Sequence, residues 1–177
     1  MATIGLRKLY YARLTEDTET TTTYETPKRL AGLINVEINP SIQKNTLYGD
    51  DMPLATASSI SEITVTLETA DIPLADAAAL LGHELDSGTM VVKASDMSPY
   101  VAILFEAEKH DGQTRYVKLL KGKFDEGQES LQTRGESVEY TTPKLEGTFV
   151  ARTSDGAWKM VKDTSDTTVA TSWYASV

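Results

Sequence analysis

Two stretches of the chain alternate strictly between apolar and polar residues. In the first, Ile34, Val36 and Ile38 are interleaved with Asn35, Glu37 and Asn39. In the second, Ile63, Val65 and Leu67 are interleaved with Glu62, Thr64, Thr66 and Glu68. A period of two is that of a β-strand, because successive side chains leave the backbone on opposite faces. Each stretch therefore predicts a strand with one buried and one polar face. Pro40 lacks the N–H that a sheet ladder needs and predicts the end of the first. Gly5 to Leu14, with Leu6, Leu9, Tyr10 and Tyr11, predicts an earlier strand. Thr15 to Thr26 is Thr-rich and charged and predicts a loop. Ser41 to Ala57 reads as a turn-rich excursion containing Gly49-Asp50-Asp51 and Pro53.

Pro73 to Leu81 is rich in Ala and Leu and predicts the chain's one helix. Asp71 is a suitable N-cap, Pro73 suits the first turn, and Gly82 is a natural stop. Leu74, Ala78 and Leu81 would share a face. Met90 to Ala94 predicts a short strand. Asp111-Gly112 between Tyr100–Glu108 and Thr114–Lys121 predicts a hairpin, and Asp155-Gly156 between Lys144–Thr153 and Ala157–Val161 predicts a second. Thr164 to Val177 is polar until Trp173 and Tyr174 and predicts an arm that docks by its aromatics. The expected fold is mainly β: one domain over residues 1–163, an antiparallel β-sandwich or barrel with one helix packed on it, followed by a C-terminal arm, 164–177.

At 177 residues with 40% hydrophobic and 24% charged residues, the chain can bury one sizeable core. It has no apolar run long enough to cross a bilayer, and Met1 to Leu14 lacks the uninterrupted apolar core of a signal peptide. There are no cysteines, which excludes disulfides and thiolate metal sites and fits assembly in a reducing cytoplasm. The net charge of −9 argues against gripping nucleic acid by neutralising phosphates. Nearly all of that excess lies between residues 45 and 92, which hold no Lys or Arg but carry Asp50, Asp51, Glu62, Glu68, Asp71, Asp76, Glu84 and Asp86.

Catalytic signatures are lacking. Tyr48-Gly49-Asp50-Asp51 spells a polymerase metal motif, but the chain is too short for a polymerase and has no partner carboxylate motif; Gly and Asp are ordinary turn residues. His83 and His110 have no second ligand at metal spacing. No nucleophile elbow, Walker loop or dinucleotide fingerprint occurs. The expectation is a protein that is not an enzyme and needs no cofactor or metal.

The order of these phrases resembles the major tail protein family of siphophages. The resemblance is carried by Ala2-Thr3-Ile4-Gly5-Leu6-Arg7-Lys8-Leu9-Tyr10-Tyr11-Ala12, Leu30 to Asn39, Leu47-Tyr48-Gly49-Asp50-Asp51, Ile63-Thr64-Val65-Thr66-Leu67, the Pro73–Leu81 helix, Arg115 to Gly122, and the region from Glu139-Tyr140 to Phe149. It implies a fold like the type VI secretion tube protein. It further implies hexameric rings stacked into a tail tube, with a lumen holding the tape measure protein and later viral DNA. Tail terminator and tail tip proteins would be further partners, and the location would be the virion tail, assembled in the host cytoplasm.

On this reading Asn35, Glu37, Asn39, Glu62, Thr64, Thr66 and Glu68 face the lumen, where an acidic wall repels phosphates. Ile34, Val36, Ile38, Ile63, Val65 and Leu67 face the interior. The loop 41–56 stacks rings through Leu47, Tyr48, Asp50, Asp51, Met52 and Leu54, and the arm lays Trp173 and Tyr174 on a neighbour. Lys118, Lys121 and Lys123 face outward or pair across an interface. The competing expectation is a virion-surface, adhesin-like sandwich that binds a host ligand.

Overall fold

A computed structural model describes residues 3–50, 52–127 and 142–177. In chain order the elements are β1 (Thr3–Asp17), β2 (Thr22–Tyr24), β3 (Lys28–Leu30), β4 (Leu33–Gly49), β5 (Met52–Thr69), α1 (Leu74–Leu81), β6 (Glu84–Asp86), β7 (Thr89–Val91), β8 (Val101–Lys109), β9 (Thr114–Asp125), β10 (Lys144–Phe149), β11 (Lys159–Thr164) and α2 (Val169–Ala175).

All strand pairings among the described residues are antiparallel. The main sheet runs β2-β1-β8-β9-β10-β5-β4, with β3 beside β1 and β11 beside β9; β6 and β7 form a separate ribbon. The sheet folds over a single core without closing into a barrel. Leu9 and Tyr11 of β1, Ile103 and Phe105 of β8, and Leu119 of β9 meet Ile63, Val65 and Leu67 of β5 and Leu145 and Phe149 of β10, with Leu80 and Leu81 of α1 in the same cluster. The result is sandwich-like, with β4 an edge among the described strands.

The alternating stretches fold as their periodicity dictates. Ile63, Val65 and Leu67 are buried, while Glu62 and Thr64 on the other face are exposed. In β4, Val36 and Ile38 pack on the core. Ile34 does not. The β4–β5 register shifts between Leu33 and Asn35, so Leu33 takes the inward place and Ile34 is left 48% exposed.

Four further expectations are corrected. The strands do not stop at Pro40, and 41–56 is no loop: β4 and β5 continue as a two-stranded ribbon as far as the Gly49–Met52 pair. Pro40 is tolerated because the register shifts again between Pro40 and Ile42 on an edge strand. Thr15 to Thr26 contributes the end of β1 and all of β2. Helix α1 starts after Pro73, with no side-chain cap from Asp71, and it buries Asp76, Ala78, Leu80 and Leu81 while Leu74 is exposed. Its end is as expected: Gly82 adopts φ 79° and donates to Ala78 O. A Cβ at Gly82 would come within 2.2 Å of the Met97 carbonyl oxygen, so a glycine is required there.

The Asp111-Gly112 hairpin forms between β8 and β9. The turn at Asp155-Gly156 also forms, closed by Arg152 N donating to Ala157 O. The strands flanking that turn do not pair with each other, however. Strands β10 and β11 lie end to end along one edge of β9, at Gly122–Asp125 and Thr114–Leu119 respectively. The chain has a second helix, α2, which the polar composition of 164–177 conceals.

Candidate functional site

The polar residues of β4 and β5 share one outer face. Asn35 pairs across the ladder with Glu68, Glu37 with Thr66, and Asn39 with Thr64. Glu62 lies just beyond the Pro40 bulge. Asn35 Nδ2 donates to Glu37 Oε1 at 3.3 Å. The face continues onto β10, where Lys144, Glu146 and Thr148 stand opposite Glu68, Thr66 and Thr64, and then onto Asp125 and Lys123 of β9. Five carboxylates (Glu37, Glu62, Glu68, Asp125, Glu146) therefore share the surface with two ammonium groups (Lys123, Lys144). Lys144 Nζ lies 3.9 Å from Glu68 Oε2. The alternation of Lys144, Glu146 and Thr148 with Leu145 and Phe149 marks β10 as a strand with one polar face, though not its place beside β5.

Beyond Pro40 and Ile63 the β4–β5 ribbon leaves the core, and its described side chains are exposed on both faces. Leu47, Tyr48, Met52 and Leu54 are 63–70% exposed, and Ile42 and Ile60 about half. Asp50 occupies the turn with φ 50°, a left-handed conformation Asp tolerates better than most residues. Asp51 lies outside the described residues. A cluster of large apolar side chains in water marks an interaction surface.

Helix α2 packs on the chain's own sheet, over the outer face of β1, β8 and β9. Tyr174 stacks on Tyr10 at 4.5 Å, and Trp173 lies 5.9 Å from Tyr116. Lys118 Nζ sits 4.4 Å from the Trp173 ring centroid and donates to Ser176 O at 2.7 Å. This cover explains why β8 is buried on both faces from Val101 to Ala107. It also shuts in Glu106, which is 3% exposed. That carboxylate is balanced by Lys8 at 3.2 Å and Arg7 at 3.6 Å and accepts a hydrogen bond from Tyr174 Oη at 3.3 Å. Lys8 sits in the β1 bulge between Arg7 and Tyr10 with φ 55°. Burial and the Glu106 charge push the Tyr174 hydroxyl well above the usual phenol range. Burial draws the Lys118 ammonium below its ordinary value.

The lysines expected to face outward are used within the chain. Lys118 serves α2. Lys121 Nζ meets Asp17 Oδ2 at 2.6 Å. Lys123 lies 4.4 Å from the Tyr100 ring centroid. His83 Nδ1 lies 2.8 Å from Asp96 Oδ2, tying the end of α1 to the following loop, and His110 is exposed in the β8–β9 turn. Among the described residues no three His, Cys, Asp or Glu side chains converge as a metal site, and no helix is long and apolar enough to cross a membrane. A cleft of about 300 Å³ lies between β1 and β4, lined by Thr3, Ile4, Gly5, Leu6 and Ile34. It marks the seam where the sheet fails to close.

The arrangement is thus one of surfaces: an acidic sheet face, an apolar ribbon tip and, among the described residues, unpaired sheet edges. None of the curated proteins compared with the chain matches it. The family model described as phage tail tube protein matches residues 1–175, nearly the whole chain, and the protein belongs to that family of structural virion-tail components.

Proposed function

We propose that copies of this chain form hexameric rings that stack into the phage tail tube, with the outer face of β4, β5 and β10 lining a bore through which viral DNA passes. The observation that carries this reading is the charge of that face, five carboxylates against two lysines on adjacent strands. Asn35, Glu37, Asn39, Glu62, Thr64, Thr66 and Glu68 are its lumen residues. An acidic wall repels phosphates, the reverse of the basic groove that grips them, so DNA slides without lodging.

Assembly also answers the edge problem. Among the described residues strand β4 ends the sheet with one side unpaired, and a cleft lies between β1 and β4. Exposed edges invite strand pairing, and neighbours in a ring can supply it. The ribbon tip, through Leu47, Tyr48, Asp50, Asp51, Met52 and Leu54, then joins one ring to the next. Trp173 and Tyr174, partly buried on α2, offer what remains of their outer edges to a neighbour. The tape measure protein occupies the bore before DNA, and terminator and tip proteins close the ends. The body 1–163 is the tube domain and 164–177 its arm, assembled in the host cytoplasm and carried in the virion tail. Negative-stain microscopy of the purified chain tests this: sixfold rings or tubes are expected, and a persistent monomer at high concentration would contradict it.

A further inference from the structure

The ribbon tip needs a receiving surface, and the described residues offer one at the far end of α1. There the β6–β7 ribbon and the loop after it expose Leu85, Val91, Val92 and Met97. The two regions are held together locally: α1 ends against the Met97 backbone at Gly82, and Lys93 Nζ bridges back to Glu84. Val91 shares one face of the ribbon with Glu84 and Asp86, while Leu85 pairs with Met90 on the other, and soluble surfaces rarely leave such apolar side chains exposed without a partner.

Charge distinguishes this surface from the other apolar sites. The exposed ribbon carries one cation, Lys44, which makes no ion pair among the described residues. Asp50 sits at the turn itself, beyond the apolar positions. The β6–β7 ribbon carries Asp86, which is exposed and has no cationic partner among the described residues. Met160 and Val161 of β11 are also exposed, but Lys159 and Lys162 flank them, and the adjacent Asp163 is taken up by Lys109 and Arg115. Ile4 and Ile34 lie in the β1–β4 cleft, where a lateral sheet edge belongs.

We infer that the β4–β5 ribbon tip of one copy docks on the β6–β7 surface of a second copy in the adjoining ring, with Lys44 meeting Asp86. This inference rests on the ribbon being the stacking element and adds the surface it meets. The two surfaces differ, so the contact is head-to-tail and repeats without closing, as a filament requires. Tyr48, large and aromatic, is the anchor, and the opposite charges set the register.

The chain has no cysteine, so engineered pairs report contacts without background. Tyr48→Cys combined with Val91→Cys, on the same face of the β6–β7 ribbon as Asp86, should yield, on mild oxidation of assembled tubes, a ladder of covalent multimers. Lys44→Glu should weaken stacking, and adding Asp86→Lys should restore it. If tubes form but the ladder comes instead from Tyr48→Cys with Ile4→Cys or with Met160→Cys, the receiving surface is wrong while the ribbon still stacks. A dimer band from Tyr48→Cys alone would mean tip meets tip and would overturn the inference. Tubes that give no crosslink from any Tyr48→Cys pair would overturn both the inference and the stacking role beneath it.

Discussion

Phe149 lays its ring against Gly122. The two face each other across β9 and β10, and a Cβ at Gly122 would come within 2.4 Å of the ring. Two pairs along, Phe124 covers Gly147 in the same way, and the two rings meet edge-on at 5.8 Å. Each glycine makes room for the aromatic opposite, which fills the space a side chain would have taken. Gly122→Ala should therefore overpack the core and destabilise the subunit by about 1–3 kcal/mol. Denaturant unfolding of the two proteins measures it.

Asp17 should make stability depend on acid. Burial alone would raise its carboxyl, but hydrogen bonds from Lys121 and Thr153, with the Lys121 charge, outweigh burial and bring its pKa down to about 2. In the unfolded chain the group titrates near ~3.9. Its contribution is therefore complete above the unfolded value and lost as pH falls towards 2. Asp17→Asn should be less stable than the parent at pH 6, with the difference shrinking between about pH 4 and pH 2. Thermal melts across that range test the trend, and a gap independent of pH would contradict it.

Removing the Tyr174 ring should loosen α2. It loses the Tyr10 stack and the hydroxyl donated to buried Glu106. Tyr174→Ala should cost about 1–3 kcal/mol and speed amide exchange in β8, whose outer face α2 covers. Tyr174→Phe keeps the stack and should recover most of that loss.

Polar substitution at the ribbon tip should separate folding from assembly. Leu47, Tyr48, Met52 and Leu54 contribute little to the core because they stand in solvent. Replacing all four with Ser should leave the subunit's melting temperature within a few degrees while abolishing tubes in sedimentation assays.

Burial asymmetry decided how much could be read from the sequence. Residues 62–68 announced a strand because one face meets the core, and the Asp-Gly turn and the Pro73–Gly82 helix carried local signals of their own. Residues 41–49 and 52–57 are equally strand, yet both faces of the ribbon meet solvent, so no period of two is imposed and Gln43 and Thr56 read as loop. Ile34 was misplaced because a bulge leaves no mark in the alternation. The seven-residue α2 is too short to hold itself together and exists by docking on Tyr10 and Tyr116, a tertiary effect no local pattern records. The acidic face was legible on β4 and β5. Its extension onto β10 with Lys144 needed the strand order, and the pairing of Gly122 with Phe149 needed the register.

The bore is the central claim, and charge reversal probes its chemistry. Glu37→Lys with Glu62→Lys alters two exposed carboxylates of the sheet face. Tubes should still form, while DNA delivery by particles carrying them should fall; undiminished infectivity would count against an acidic bore.

The most direct measurement is a reconstruction of assembled tubes at a resolution that resolves side chains. It should find Glu37, Glu62, Thr66 and Glu68 of every subunit pointing at the tube axis, with β4 paired to a neighbour's edge. Tubes in which that sheet face points outward, towards bulk solvent, would contradict the account.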